Sequence, residues 1–165
     1  LETLDLVPGR FERVDVGQDF TVIVDYAHTP EGLSSALAAA KTIGRRVIAV
    51  FGCGGDRDRS KRPLMGRAAA AHADVVIVTS DNPRGENPEE IIAEVEAGLE
   101  ERPPPGGYRL IPDRAEAIAV AISQAAPGDV VLIAGKGHES YQEFAGRTVP
   151  FDDRAVAADA LRRQA

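Results

Sequence analysis

The chain has 165 residues, the length of one ordinary domain, and carries 19 Lys plus Arg against 26 Asp plus Glu, a formal charge of −7. That balance argues against a nucleic-acid backbone binder, and no apolar run approaches the ~20 residues of a membrane span. A single cysteine, Cys53, excludes an internal disulfide, and no CxxC pair offers a zinc site.

No signal peptide opens the chain, so a cytoplasmic location is expected. Position 1 is Leu rather than Met, which fits a fragment of something longer. In chain order, Phe11–Val16 reads as a strand of weak pattern. Near-continuous Val and Ile, without alternation, mark strands buried on both faces. Such runs stand at Thr21–Asp25 (TVIVD), Val47–Phe51 (VIAVF), Val75–Thr79 (VVIVT) and Val130–Ala134 (VVLIA). Ala-rich amphipathic stretches between them predict helices over residues 30–43, 60–72, 88–100 and 113–126, with a last one over 152–163. Asn87 precedes Pro88, Glu89 and Glu90, the order of a capping residue, a first-turn proline and first-turn acids. Asp113 and Asp152 can cap in the same way. Glu101–Gly107 reads as a surface loop, and Tyr141–Pro150 as a hairpin turning on Ala145-Gly146. The expected architecture is one α/β domain: a Rossmann-like, doubly wound, mostly parallel sheet with helices on both faces and a C-terminal hairpin.

In such a sheet ligands bind beyond the carboxyl ends of the strands. The loops there hold Asp25-Tyr26-Ala27-His28, Gly54-Gly55-Asp56-Arg57-Asp58, Ser80-Asp81-Asn82-Pro83-Arg84 and Gly135-Lys136-Gly137-His138-Glu139, with Arg10 just upstream. Neither glycine loop has GxGxxG spacing, and neither is the GxxxxGK(S/T) phosphate cradle, which argues against a hydride-transfer enzyme. Arg57 and Arg84 offer planar forks suited to carboxylate or phosphate, and Glu139 suits an ammonium. With Asp81 and Asn82 this is an inventory for a zwitterionic amino acid carrying an extra carboxylate. The plainer alternative pairs Arg57 with Asp56 or Asp58, and Arg84 with Glu86, on a solvated surface. His28 and His138 read as hydrogen-bonded structural groups, Cys53 as a filler, and Lys136 as either phosphate-seeking or solvated.

These loops, in this order, resemble the C-terminal domain of the Mur ligase family, from Pro8-Gly9-Arg10-Phe11-Glu12 through Val24-Asp25-Tyr26-Ala27-His28-Thr29-Pro30 to Gly135-Lys136-Gly137-His138-Glu139. Asp25-Tyr26-Ala27-His28 with Pro30 is shared across the superfamily. Asp81-Asn82-Pro83-Arg84 resembles the diaminopimelate-adding branch. The resemblance implies that Arg10, Asp25 and His28 meet ATP, with Arg10 also reaching the developing acyl phosphate as the catalytic group. It implies that Arg57, Asp81, Asn82, Pro83, Arg84, Gly135 and Glu139 meet meso-diaminopimelate. The implied reaction is peptide-bond formation on UDP-N-acetylmuramoyl-L-alanyl-D-glutamate during cell-wall synthesis. The implied phosphate loop and Mg2+ ligands are expected in a central domain, and a UDP-binding domain ahead of it, that this chain lacks. By itself the chain is expected to be inactive. A stand-alone amino-acid-binding module is the alternative.

Overall fold

The runs of β-branched residues become the central strands of one sheet, because only a parallel strand covered on both faces can hide every side chain in such a run. The computed structural model describes residues 10–164, so Leu1, Pro8 and Gly9 lie outside the described residues. In chain order the elements are β1 (Glu12–Arg13), β2 (Thr21–Asp25), α1 (Pro30–Lys41), β3 (Val47–Phe51), α2 (Lys61–His72), β4 (Val75–Val78), α3 (Pro88–Glu101), β5 (Tyr108–Leu110), α4 (Arg114–Gln124), β6 (Val130–Ala134), β7 (Tyr141–Phe144), β8 (Arg147–Pro150) and α5 (Asp153–Gln164).

Among the described residues the main sheet runs β1-β2-β6-β3-β4-β5, with β1 antiparallel and the other pairs parallel. Successive side chains alternate between two cores. Ile23, Val47, Ala49, Phe51, Val76, Val78 and Leu132 pack against α1, α2 and α3. Val22, Val24, Ile48, Val50, Ile77, Val131 and Ile133 pack against α4 and α5. The sheet is therefore doubly wound, with helices on both faces.

Helix starts follow their caps. Thr29 Oγ1 accepts from Gly32 N at 3.0 Å, Asn87 Oδ1 from Glu89 N at 2.8 Å, and Asp113 Oδ1 from Glu116 N at 3.2 Å. Asp152 Oδ1 accepts from Arg154 N at 2.9 Å. The hairpin forms as expected, with Tyr141 opposite Pro150 and Phe144 opposite Arg147.

Two expectations change. The strand over 11–16 shrinks to Glu12–Arg13, because Phe11 takes a left-handed φ of 47° and the chain turns again at Gly17, whose φ is 99°. The loop after residue 101 leads into β5, an edge strand of 3 residues whose largely exposed side chains gave no apolar run to find.

Candidate functional site

Order 2-6-3-4 brings the carboxyl ends of β2, β6, β3 and β4 side by side, and their loops enclose a cavity of about 360 Å³. Arg57, Asp81, Asn82, Arg84, Gly135 and Glu139 all line it, gathered from three separate loops. Pro83 does not. It is buried, and its carbonyl lies against Gly55, so its visible contact is tight loop packing. A second cavity of about 390 Å³ lies between α1 and the end of β2, lined by Arg10, Asp25 and His28. Tyr26 and His28 line both cavities, so one aromatic wall separates them. Their rings are tilted 59° with centroids 4.8 Å apart, and His28 Nδ1 sits 3.0 Å from Tyr26 O.

Backbone contact holds the two loops at the cavity floor. Gly55 N donates to Asn82 O at 2.8 Å, and a Cβ built on Gly55 would fall 1.8 Å from Pro83 O. Gly135 has a φ of 116°, and a Cβ there would meet Asp81 Oδ2 at 2.8 Å. Asp56 and Arg84 take left-handed φ angles of 54° and 53°, so the strained backbone of this region is concentrated at the cavity rim.

The hairpin grips the segment Asp81–Arg84, three of whose residues line the cavity. Gln142 Nε2 donates to Asp81 O at 2.7 Å, Glu143 N to Asn82 Oδ1 at 3.0 Å, and Arg84 N to Glu143 O at 2.9 Å. Arg84 is half-buried, donates Nη1 to Gly55 O at 3.0 Å, and pairs with Glu143 at 3.5 Å rather than with Glu86. Arg57 donates to Asp56 O at 2.9 Å, and among the described residues it has no acidic partner. Its fork is thus available to a carboxylate from outside.

Asp25 holds the start of the domain. Its Oδ1 accepts from Phe11 N at 2.6 Å and its Oδ2 from Ala27 N at 2.8 Å, which places Arg10 at the mouth of the second cavity. The Arg10 guanidinium carbon lies 5.9 Å from the Tyr26 ring centroid. Asp81 is buried, and that burial pushes its carboxyl above the ordinary range, against the pull of Arg114 and Lys136. Burial also lifts the Cys53 thiol to about 12, which leaves it an inert filler.

Buried charges that sequence reasoning missed support the site. Arg62 on α2 is fully buried, bonds both Glu86 oxygens at 3.0 and 2.8 Å, and donates to Gly54 O at 2.9 Å. Arg114 on α4 bonds both oxygens of Asp153 at 2.8 and 2.7 Å, Ser80 O at 2.9 Å and Ala134 O at 3.1 Å. Lys136 is neither solvated nor free for a phosphate; it is fully buried beside Asp81, Asn82 and Glu139.

The Arg62 pair has a pH signature. Its hydrogen bonds hold the Glu86 carboxyl down from 4.5 to about 2. A lowered pKa lends stability that is full above 4.5 and is lost as pH falls through about 2. Urea midpoints of the wild type and Glu86→Gln are therefore expected to differ near neutral pH and to converge as the solution is acidified toward pH 2. A gap that persists at that pH would assign the effect to something other than Glu86 ionisation.

Known proteins resemble this chain in sequence and in fold. The family model described as "Mur ligase, glutamate ligase domain" matches residues 9–137. The chain is 57% identical over 163 residues to the UDP-N-acetylmuramoyl-L-alanyl-D-glutamate--2,6-diaminopimelate ligase of Syntrophomonas wolfei, a match covering 98% of this chain and 33% of that protein. It is 56% identical over 165 residues to the ligase of the same name from Geobacillus thermodenitrificans, covering 99% and 33%. A solved structure of a ligase so named superimposes with a TM-score of 0.88 at 46% identity, over 98% of this chain and 33% of that one. The chain thus spans about a third of the length of the curated relatives it matches. On the family model, the shared sequence and the shared fold together, it belongs to the Mur ligase family and is a C-terminal domain of that family.

Proposed function

We propose that this domain recognises meso-diaminopimelate for an ATP-dependent ligase that joins it to UDP-N-acetylmuramoyl-L-alanyl-D-glutamate. One observation carries the reading: six predicted substrate residues from separate loops line one cavity, where Arg57 has no acidic partner among the described residues. Meso-diaminopimelate differs from lysine by a carboxylate at its far end. Arg84 and Arg57 supply guanidinium forks for that carboxylate, and Glu139 supplies an acceptor for an ammonium. A lysine in the same place would leave a guanidinium unpaired, and sites built for a polar group reject analogues lacking it by about 10⁴–10⁵-fold.

The chemistry needs three substrates brought together. ATP phosphorylates the terminal carboxylate of the acceptor, giving an acyl phosphate. An amine of diaminopimelate, having lost a proton, then attacks the acyl carbon and expels inorganic phosphate. The cavity at Arg10, Asp25 and His28 suits the nucleotide side, and the aromatic wall of Tyr26 and His28 stands between it and the amino acid. Arg10 carries the positive charge that would face the phosphates. Among the described residues no three His, Cys, Asp or Glu side chains gather to hold a metal ion. We place the Mg2+ ligands, the phosphate loop and the UDP-binding region in the part of its relatives' length that this chain does not span, and expect the isolated chain to show no turnover. Closure of this domain over the central one would exclude water from the acyl phosphate. No helix among the described residues is long and apolar enough to cross a membrane, and a cytoplasmic location fits this reading.

Calorimetry on the full-length protein tests the assignment. Diaminopimelate is expected to bind and lysine to give no measurable heat, and Arg84→Ala to weaken diaminopimelate by about 30-fold or more. Equal affinity for the two amino acids in the wild type would overturn the selectivity argument. Unchanged diaminopimelate binding in Arg84→Ala would remove Arg84 from the site.

A further inference from the structure

Lys136 sits fully buried at the carboxyl end of β6. A buried ammonium persists only where acceptors replace its lost hydration. Nζ donates to Asn82 Oδ1 at 3.0 Å and to Glu139 Oε1 at 3.2 Å, and lies 3.9 Å from Asp81 Oδ1. The centroid of the Tyr141 ring is 5.3 Å from Nζ. Asp81, Asn82 and Glu139 all line the amino-acid cavity, and Lys136 lies behind them.

The bonding leaves Asn82 no choice of orientation. An ammonium only donates, and so does a peptide N–H. One atom of Asn82 receives both, from Lys136 Nζ at 3.0 Å and from Glu143 N at 3.0 Å. That atom is the amide oxygen, so the NH₂ end is turned away from Lys136 and serves only as a donor. Glu139 is anchored through one oxygen, Oε1, which leaves Oε2 as an acceptor.

We propose that Lys136 is a positioning residue that fixes the polarity of the cavity. Acting through Asn82 and Glu139, it presents a donor at one point and an acceptor at another, and so sorts the carboxylate of a diamino diacid from its ammonium. This rests on the diaminopimelate reading above. Without Lys136 the Asn82 oxygen keeps only the Glu143 N–H, so the amide is held less firmly, and Glu139 loses its anchor.

The test uses steady-state kinetics of the full-length ligase. Lys136→Met is expected to raise the KM for diaminopimelate on the order of 100-fold, with kcat at saturation and the KM for ATP within about 3-fold of wild type. In an Asn82→Ala background the same change should cost about 10-fold at most, because the share that acts through Asn82 is gone while the Glu139 anchor is still lost. Lys136→Gln keeps an amide donor, and its KM is expected between those of the wild type and the Met variant. It carries the same cycle should the Met variant fail to fold. A wild-type KM in Lys136→Met would overturn the proposal. So would an undiminished effect in the Asn82→Ala background, or kcat and the KM for ATP changing as much as the KM for diaminopimelate. A wild-type enzyme that does not use diaminopimelate overturns the functional reading itself, which separates that failure from a failure of Lys136 alone.

Discussion

Replacing Arg114 by Met, or Asp153 by Asn, is expected to lower the free energy of unfolding by about 3–5 kcal/mol, the cost of leaving one member of a buried ion pair without its partner. Both side chains are fully buried. The guanidinium also spans the carboxyl ends of β4 and β6 by bonding Ser80 O and Ala134 O, while Asp153 opens α5. Removing the arginine thus leaves a buried carboxylate and two carbonyls without their donor. The double replacement Arg114→Met with Asp153→Leu is expected to recover much of the loss, because it removes the stranded charge. The two carbonyls keep it short of the wild type. Urea unfolding of the three variants measures this directly. A loss below about 1 kcal/mol in both single variants would mean that the pair behaves as a solvated one and that its burial has been misread.

Gly55→Ala is expected to weaken diaminopimelate on the order of 100-fold while leaving the protein folded. The new methyl would lie 1.8 Å from Pro83 O, so the two loops must part. Parting them stretches the bond from Gly55 N to Asn82 O and moves the carbonyl that Arg84 uses. A displacement of about 1 Å at groups that position a substrate costs about 100-fold. The stability loss is expected to stay within about 1–3 kcal/mol, the range for overpacking. The KM for diaminopimelate and the thermal midpoint, measured on one preparation, separate the two effects. Wild-type affinity in Gly55→Ala would show that this loop contact does not set the cavity.

What could be read from the sequence follows from burial. β2, β3, β4 and β6 are covered on both faces, so their Val and Ile runs announce them. β5 is a short edge with exposed side chains and announces nothing. The cavity residues were legible because a parallel sheet sends its loops to one end, where Arg57, Asn82, Arg84 and Glu139 stand out as polar groups after apolar strands. Their partners were not legible. Arg114 meets Asp153 across 39 positions and Arg62 meets Glu86 across 24, and no local spacing encodes such pairs. A usable signal did exist. Arg114 shares a helical face with the buried Ala117, Ile118, Ala121 and Ile122, and Arg62 with Met65, Gly66, Ala69 and Ala70. A charge in register with an apolar stripe points inward and needs a partner there. Pro83, between two cavity-lining residues, packs its carbonyl against Gly55, a contact that no local pattern announced.

The place of β6 has a consequence for how the domain comes to exist. It is the last strand of the main sheet in the chain, yet it lies between β2 and β3, which pair with it and not with each other. During synthesis the first five strands emerge as two separate groups, and the gap between them closes only when residues 130–134 arrive. The same strand ends in Gly135 and Lys136, so closing the sheet and delivering the last wall of the cavity are one event. Such distant pairing folds slowly, because loop closure must precede the contacts that reward it. A growing or truncated chain therefore holds both arginines that line the cavity, Arg57 and Arg84, before the cavity is complete. The closed cavity belongs to the finished domain alone.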